Sequence, residues 1–321
     1  MCYSAQVWAD YRAYMRVYGA DLSIVEFHEL YCVRHTNPRI RIPKAMDDAF
    51  ADPRSDAERK IKALIDAFDR EQVTQLEQDI FKQRKRLADA ERTLQTKTTK
   101  AATTSKRIAT DKVEWALAKL ADLRRTEAKP RDSRIFPAWY APVMIVENGK
   151  RVIKPMRYQC RPAGKPAFYD TKYPGTYNAR RDNLAGFWRG QFGHNHGIMI
   201  ANAFYENVSR HAMEGRELAL DEKEENVILE FRPNTSEPML VACLWSHWQG
   251  QGEGEADLLS FAAITDDPPP EVAAAGHDRC IIPIKAANLD AWLNPDPANL
   301  AAMQAVLDDR LRPYYEHRMA A

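Results

Sequence analysis

The chain has 321 residues, with 46 Lys and Arg against 45 Asp and Glu, for a formal net charge of +1. Hydrophobic residues make up 45% and aromatics 10%, which is enough apolar surface for a packed core and excludes wholesale disorder. No apolar run reaches the ~20 residues a membrane span needs. The start, Met1-Cys2-Tyr3-Ser4-Ala5, lacks the basic and apolar regions of a secretory signal.

Five scattered cysteines without a CxxC pair argue against a disulfide scaffold or a zinc ribbon and point to a reducing cytoplasm. Near-neutral charge counts against nucleic-acid binding only if it is evenly spread, and it is not. Residues 54–131 hold 20 Lys and Arg against 13 Asp and Glu, a net +7, which leaves −6 for the remainder.

Residues 5–33 read as helical, with Trp8, Tyr11, Tyr14 and Tyr18 spaced by three or four and expected in the core. Residues 54–131 contain no Gly, and their only Pro is Pro130. Val73, Leu76, Ile80, Gln83, Leu87, Ala90 and Leu94 alternate spacings of three and four, a coiled-coil seam with one polar break at Gln83. Residues 96–105 carry no apolar pattern and are expected to turn the chain. A second seam follows at Ala109, Val113, Ala116, Leu120 and Leu123. The expectation is an inserted antiparallel helical hairpin over 54–131, either a solvated arm or a binding arm for nucleic acid or another partner.

From Ile135 short apolar runs alternate with Pro and Gly. Asn148-Gly149 between strand-like runs signals a β-hairpin. Strands are expected around 198–200, 227–231, 239–243, 258–264 and 281–282, a break at Asp267-Pro-Pro-Pro-Glu271, and helix-like spacing over 286–315. The fold class is α+β, one domain over 1–321, mainly antiparallel, with a helical insertion near its start.

Cys2 is the first residue to weigh for chemistry. Removal of Met1 would leave an α-amine, pKa roughly 7.7 to 8.0, beside a thiol of roughly 8.5, both partly nucleophilic at neutral pH. The amine condenses with an aldehyde to an imine, and the thiol closes a thiazolidine ring. His194-Asn195-His196 invites a metal reading, but two ligands without a third are weak, and a structural or DNA-contacting loop is preferred. Cys32, Cys160, Cys243 and Cys280 are expected to be buried and inert.

Tyr177-Asn178-Ala179-Arg180, Ala203-Phe204-Tyr205-Glu206, Val241-Ala-Cys-Leu-Trp245 and Gly276-His277-Asp278-Arg279-Cys280 follow Cys2 in order. With Phe136-Pro-Ala-Trp-Tyr-Ala-Pro142 and Met156-Arg157-Tyr158, this series resembles the SOS-response-associated peptidase (SRAP) family over residues 1–5 and about 135–295. The resemblance implies a strand-rich, barrel-like core with flanking helices, binding of single-stranded DNA, and a covalent thiazolidine crosslink to abasic sites. It implies a self-removed Met1, Cys2 as nucleophile, Asn178 orienting Cys2, Glu206 shuttling protons at the amine, and His277 helping to open the abasic sugar. Arg180, Arg157 and Tyr158 are the implied DNA contacts. No metal, organic cofactor or membrane is called for, and a cytoplasmic location near damaged DNA is implied.

The physical chemistry is consistent with those roles. Ring opening needs a proton donor and acceptor near pH 7, which histidine supplies, and loss of water from a carbinolamine needs a neighbouring carboxyl. Arg offers phosphate a planar fork of donors. The chain departs from the family pattern at Tyr3-Ser4 in place of Gly-Arg, at Asn207 in place of Trp, at Tyr158-Gln159-Cys160 in place of Trp-Gly-Leu, and at Cys280 in place of Met. Two other readings stand beside this one. One is an N-terminal-nucleophile Cys amidohydrolase, against which the lack of Gly at position 3 counts. The other is a catalytically degenerate scaffold that binds DNA or a partner.

Overall fold

The computed structural model describes residues 4–235, 237–250, 252 and 256–320. The chain opens with β1 (Ser4–Val7), α1 (Tyr11–Tyr18), β2 (Asp21–Leu22), α2 (Ile24–Thr36) and α3 (Lys44–Asp48). The stretch read as helical over 5–33 is therefore two strands and two helices. Asp10 caps α1 by accepting from the Ala13 N–H, and Gly19 ends it in the left-handed region at φ 60°. Every residue of β1 is buried and pairs with other strands, so tertiary pairing takes up backbone groups that a helix would otherwise satisfy. The aromatic run does pack in the core: Tyr11 and Tyr14 are buried, and Trp8 stacks on Tyr14.

α4 (Asp56–Thr96) and α5 (Lys100–Arg124) form the arm. They run antiparallel, with Glu77 paired to Arg124 near one end and Glu91 to Lys106 towards the other. The connection is only residues 97–99, shorter than the turn expected over 96–105. Thr99 Oγ1 accepts from the Ala102 N–H, so a new helix starts three residues after the last one stops. Leu76, Ile80, Ala116 and Leu120 pack as one buried cluster. Gln83, the polar break in the seam, buries its Oε1 without a hydrogen-bond partner among the described residues. At 1.5 Å per residue α4 is about 60 Å long. Only its first turns rest on the body, where Ile61 and Ile65 join the main core and the Leu64 carbonyl meets His35 Nε2 at 2.8 Å.

The remaining elements follow in order: β3 (Arg134–Ile135), β4 (Tyr140–Glu147), β5 (Lys150–Tyr158), α6 (Tyr169–Lys172), β6 (Asn178–Arg180), β7 (His196–Ser209), α7 (Arg210–Met213), β8 (Asn226–Pro233), β9 (Met239–Trp248), β10 (Leu258–Asp266), α8 (Pro270–Ala274), β11 (Cys280–Ile281), β12 (Pro283–Ile284), α9 (Leu289–Leu293), α10 (Leu300–Asp308) and β13 (Tyr315–Met319). Asn148 and Gly149 both take positive φ, 51° and 72°, and close the β4–β5 hairpin as the sequence implies. The helix-like stretch over 286–315 resolves into α9 and α10 and ends at the start of β13.

The fold is α+β. β9, β10, β5, β4 and β7 are successive neighbours, and β7 pairs again with β9, so five strands close a ring. All pairings in the ring are antiparallel except β5 with β10. Alternation along the strands serves two cores. Val143, Met199, Val241 and Phe261 belong to one. Met144, Ile198, Ala242 and Ala262 belong to the other, which also takes in residues of α1, α2, α9 and α10. No described helix is long and apolar enough to cross a membrane.

Gln83→Leu should extend the arm's apolar seam and remove a buried unpaired oxygen, stabilising the arm by about 1–2 kcal/mol. Native-state hydrogen exchange should then show slower exchange of the amides around residues 76–90 and 105–120. Unchanged protection would mean that water already satisfies Gln83.

Candidate active site

β7 is 14 residues long and changes partners along its length. His196–Ala201 pairs with β9, while Phe204–Ser209 pairs with β8. Phe204 and Val208 face one apolar core, so Glu206, two residues from each, projects into that same core. Its partner across the ladder, Leu229, belongs to that core as well. Glu206 has no solvent exposure.

A carboxyl placed there must be met by a proton or a cation. His277 meets it, with Nε2 3.1 Å from Glu206 Oε2. The histidine follows α8, where Gly276 takes φ +91° and turns the chain, and it is itself buried. Its Nδ1 lies 2.9 Å from the Arg279 carbonyl oxygen and 3.3 Å from the Arg279 N–H. A carbonyl can only accept, so the shorter contact assigns a proton to Nδ1. The Nε2–Oε2 contact then needs a second proton between the two groups, as imidazolium with carboxylate or imidazole with carboxylic acid. Burial lowers the His277 pKa, partly offset by the Arg279 carbonyl, and so favours the neutral ring. The pair is arranged to hold and pass one proton.

Asn178 lies on β6, paired with Ala263 of that core, and is buried. Its amide nitrogen and oxygen have no hydrogen-bond partner among the described residues. Arg180 is half-exposed two residues further on, and its guanidinium forks onto Asp182 at 2.6 and 3.0 Å. A phosphate there would compete with Asp182. With Arg181, Thr265 and Arg279 it lines a small cavity of about 140 Å³.

Other expected site residues lie elsewhere or are engaged. Tyr158 has no exposure, stacks on Phe261 at 5.2 Å and meets Tyr177 edge-on, so its ring is not offered to a base from solvent. The reason is that Tyr158, like Met156 two residues before it, packs into the same apolar core as Phe261. Arg157 is held by Asp170 at 2.8 Å. Cys2 lies outside the described residues. The first described residue, Ser4, pairs with Tyr205, the immediate neighbour of Glu206.

Cys160, Cys243 and Cys280 are buried, as expected, and burial raises their thiol pKa, to about 12 for Cys160. Cys32 departs from expectation: it is partly exposed on α2, with Sγ 3.7 Å from His28 Nδ1. His196 is structural. Its Nε2 accepts from the Gly193 N–H at 2.9 Å, and its ring stacks on Trp292 at 3.9 Å. Among the described residues, no group of three or more His, Cys, Asp or Glu could hold a metal ion.

Sequence reasoning missed Arg134. Its guanidinium lies 3.7 Å from the Tyr205 ring centroid and its Nε donates to Ser4 Oγ at 3.0 Å, clamping the start of β1 beside Glu206. The only signal was its place just before the Phe136–Pro142 segment. The buried Tyr205–Glu230 hydrogen bond was also unmarked.

Compared with known protein families, the chain matches the model described as SOS response associated peptidase (SRAP) over residues 90–321. The chain belongs to the SRAP family. The match begins within α4 and takes in Asn178, Glu206 and His277, but it does not reach Cys2. No curated protein matches the chain. Among solved structures it is similar to a protein from Bordetella bronchiseptica at 17% identity and TM-score 0.45, over 61% of this chain and 90% of that one. It is also similar to a protein from Bacteroides thetaiotaomicron at 13% identity and TM-score 0.45, over 59% of this chain and 78% of that one. A phage-related protein from Bordetella bronchiseptica gives 19% identity and TM-score 0.42, over 61% of this chain and 84% of that one.

One buried histidine of this SRAP chain, His196, has a pH signature. Burial lowers the His196 pKa to about 3, against roughly 6.5 in the unfolded chain. Below pH 6.5 the unfolded state binds the proton first, so stability falls as pH drops from 6.5 towards 3. Urea unfolding of the wild type should weaken between pH 6.5 and 5 more steeply than that of His196→Phe. Parallel profiles would show that His196 is not buried neutral.

Proposed function

We propose that this SRAP chain is an abasic-site shield, which binds single-stranded DNA and captures the abasic aldehyde on Cys2 after Met1 is removed. The observation that carries the reading is the buried Glu206–His277 pair beside the start of β1. Cys2 lies two residues before Ser4, and two residues reach at most about 7 Å. Ser4 is opposite Tyr205, the neighbour of Glu206, which supports a reading in which the α-amine and thiol reach the pair across those two residues.

Each step then has a group to serve it. The closed abasic sugar opens when a base takes its hydroxyl proton and an acid returns one to the ring oxygen, which suits His277. The Cys2 amine adds to the aldehyde carbon. Glu206 protonates the carbinolamine hydroxyl, which leaves as water, and takes the nitrogen's proton back as the imine forms. The thiol adds across the C=N bond, sulfur to carbon and proton to nitrogen, and closes the thiazolidine. Asn178, with both amide atoms open among the described residues, orients the reacting residue. Arg180 holds a phosphate once Asp182 releases it. Hydrolysis of the Met1–Cys2 bond at the same pair accounts for the peptidase of the family description. The protein would act in the cytoplasm, at damaged DNA.

Incubation with single-stranded DNA carrying one abasic site should give a slow band on a denaturing gel. Cys2→Ala should abolish it, and Glu206→Gln or His277→Ala should slow its formation by about 100-fold, the usual scale of acid–base catalysis. Intact mass should show the loss of Met1. No adduct at neutral pH from a protein lacking Met1 rejects the proposal. Glutaminase activity that needs Cys2 would replace it with an amidohydrolase.

A further inference from the structure

The arm's charge is not spread along it. Residues 82–112, its distal half, hold 10 Lys and Arg against 3 Asp and Glu, a net +7. The proximal residues, 54–81 and 113–131, hold 10 of each and are neutral. The whole excess of the insertion therefore sits at the outer end.

The structure leaves most of that charge unspent. All three acids of the distal half are already paired: Asp89 with Arg92, Glu91 with Lys106, and Asp111 with Arg107. The other seven cations have no carboxylate partner among the described residues. Three of them, Lys82, Lys85 and Arg86, line an open groove of about 680 Å³ between α4 and α5, together with Thr93, Thr99 and Ser105. Arg86 Nε already donates to Ser105 Oγ at 2.8 Å, which fixes the guanidinium at the groove wall.

What the tip lacks narrows its partner. A lipid surface would need an apolar wedge, but the arm's exposed large apolar side chains, Phe81, Trp115 and Leu117, all lie outside 82–112. A single strand bound for its bases would need aromatic stacking platforms, and residues 82–112 contain no aromatic residue. Cations and hydroxyls on a rigid rod suit an equally rigid polyanion. Duplex nucleic acid presents one charge per about 1.7 Å, with its bases already stacked.

We propose that the distal half of the arm is a second nucleic-acid site, which grips the phosphate backbone of duplex without reading sequence. The choice of nucleic acid rests on the function proposed above. From Leu64 at the body to the tip runs about 33 residues of helix, roughly 50 Å at 1.5 Å per residue. The arm thus holds duplex at a distance from the Cys2 site, as at a junction where single strand meets double strand.

The test is binding of an undamaged 20-base-pair duplex by anisotropy across a salt series, with the full-length wild type and Lys82→Ala/Lys85→Ala/Arg86→Ala. All three positions are on the surface or the groove wall, and circular dichroism checks that the arm stays helical. Three lost phosphate contacts should flatten the slope of log K against log salt by about 2.7, at roughly 0.9 per contact. Duplex affinity at low salt should fall at least tenfold, while adduct yield on a short abasic single strand stays unchanged. An equal slope and affinity in the variant overturns the proposal. So does a loss seen on single strands but not on duplex, or arm-dependent binding to phosphatidylserine vesicles without duplex binding. If the wild type forms no abasic adduct, the Cys2 reading fails, and the duplex titration still decides the arm.

Discussion

The fold depends on how β7 divides its hydrogen bonds. Fourteen residues of strand span about 46 Å, more than a ring of five strands can use. The first half closes that ring through β4 and β9. The second half runs on beyond it and pairs with β8 and β1. Strand alternation then directs Glu206 into an apolar core, between Phe204 and Val208. An unpaired carboxylate there would cost several kcal/mol. His277, delivered from a distant loop through the turn at Gly276, answers that cost. Ring closure, the buried acid and its histidine are one arrangement.

Two charge regimes share the chain without meeting. At the site, charged groups are met locally: Glu206 by His277 and Arg180 by Asp182. At the arm's distal half they are not: three cations pair with its three acids, and the other seven have no carboxylate partner among the described residues. A net charge of +1 hides this. Screening over about 8 Å at physiological salt keeps the two regions electrostatically independent across the length of the arm.

The α+β class, the arm and its seam, and the Asn148-Gly149 hairpin could be read along the chain, because each is set by local periodicity or by a dihedral that only certain residues adopt. The misreadings share one cause. Ser4–Val7 looked like the start of a helix, but its backbone is claimed by β3 and β7, the latter two hundred residues away. Tyr158 looked like a stacking surface, but the closed ring buries it against Phe261. Arg134 carried no mark beyond its place before the Phe136–Pro142 segment, since its partners Ser4 and Tyr205 are 130 and 71 positions away.

By itself the sequence determined which chemical groups are available: a cysteine at position 2 beside Met1, a carboxyl, an imidazole, an amide and a guanidinium in a familiar order. It also placed the excess positive charge in the helical insertion, since composition and periodicity are local properties of the chain. Only the tertiary structure decided that Glu206 and His277, 71 residues apart, meet at 3.1 Å, that Tyr158 faces inward, and that seven of the arm's ten outer cations have no carboxylate partner among the described residues. Those outcomes follow from strand register, ring closure and burial, which are set by contacts between segments far apart in the chain and leave no periodic trace within any one of them.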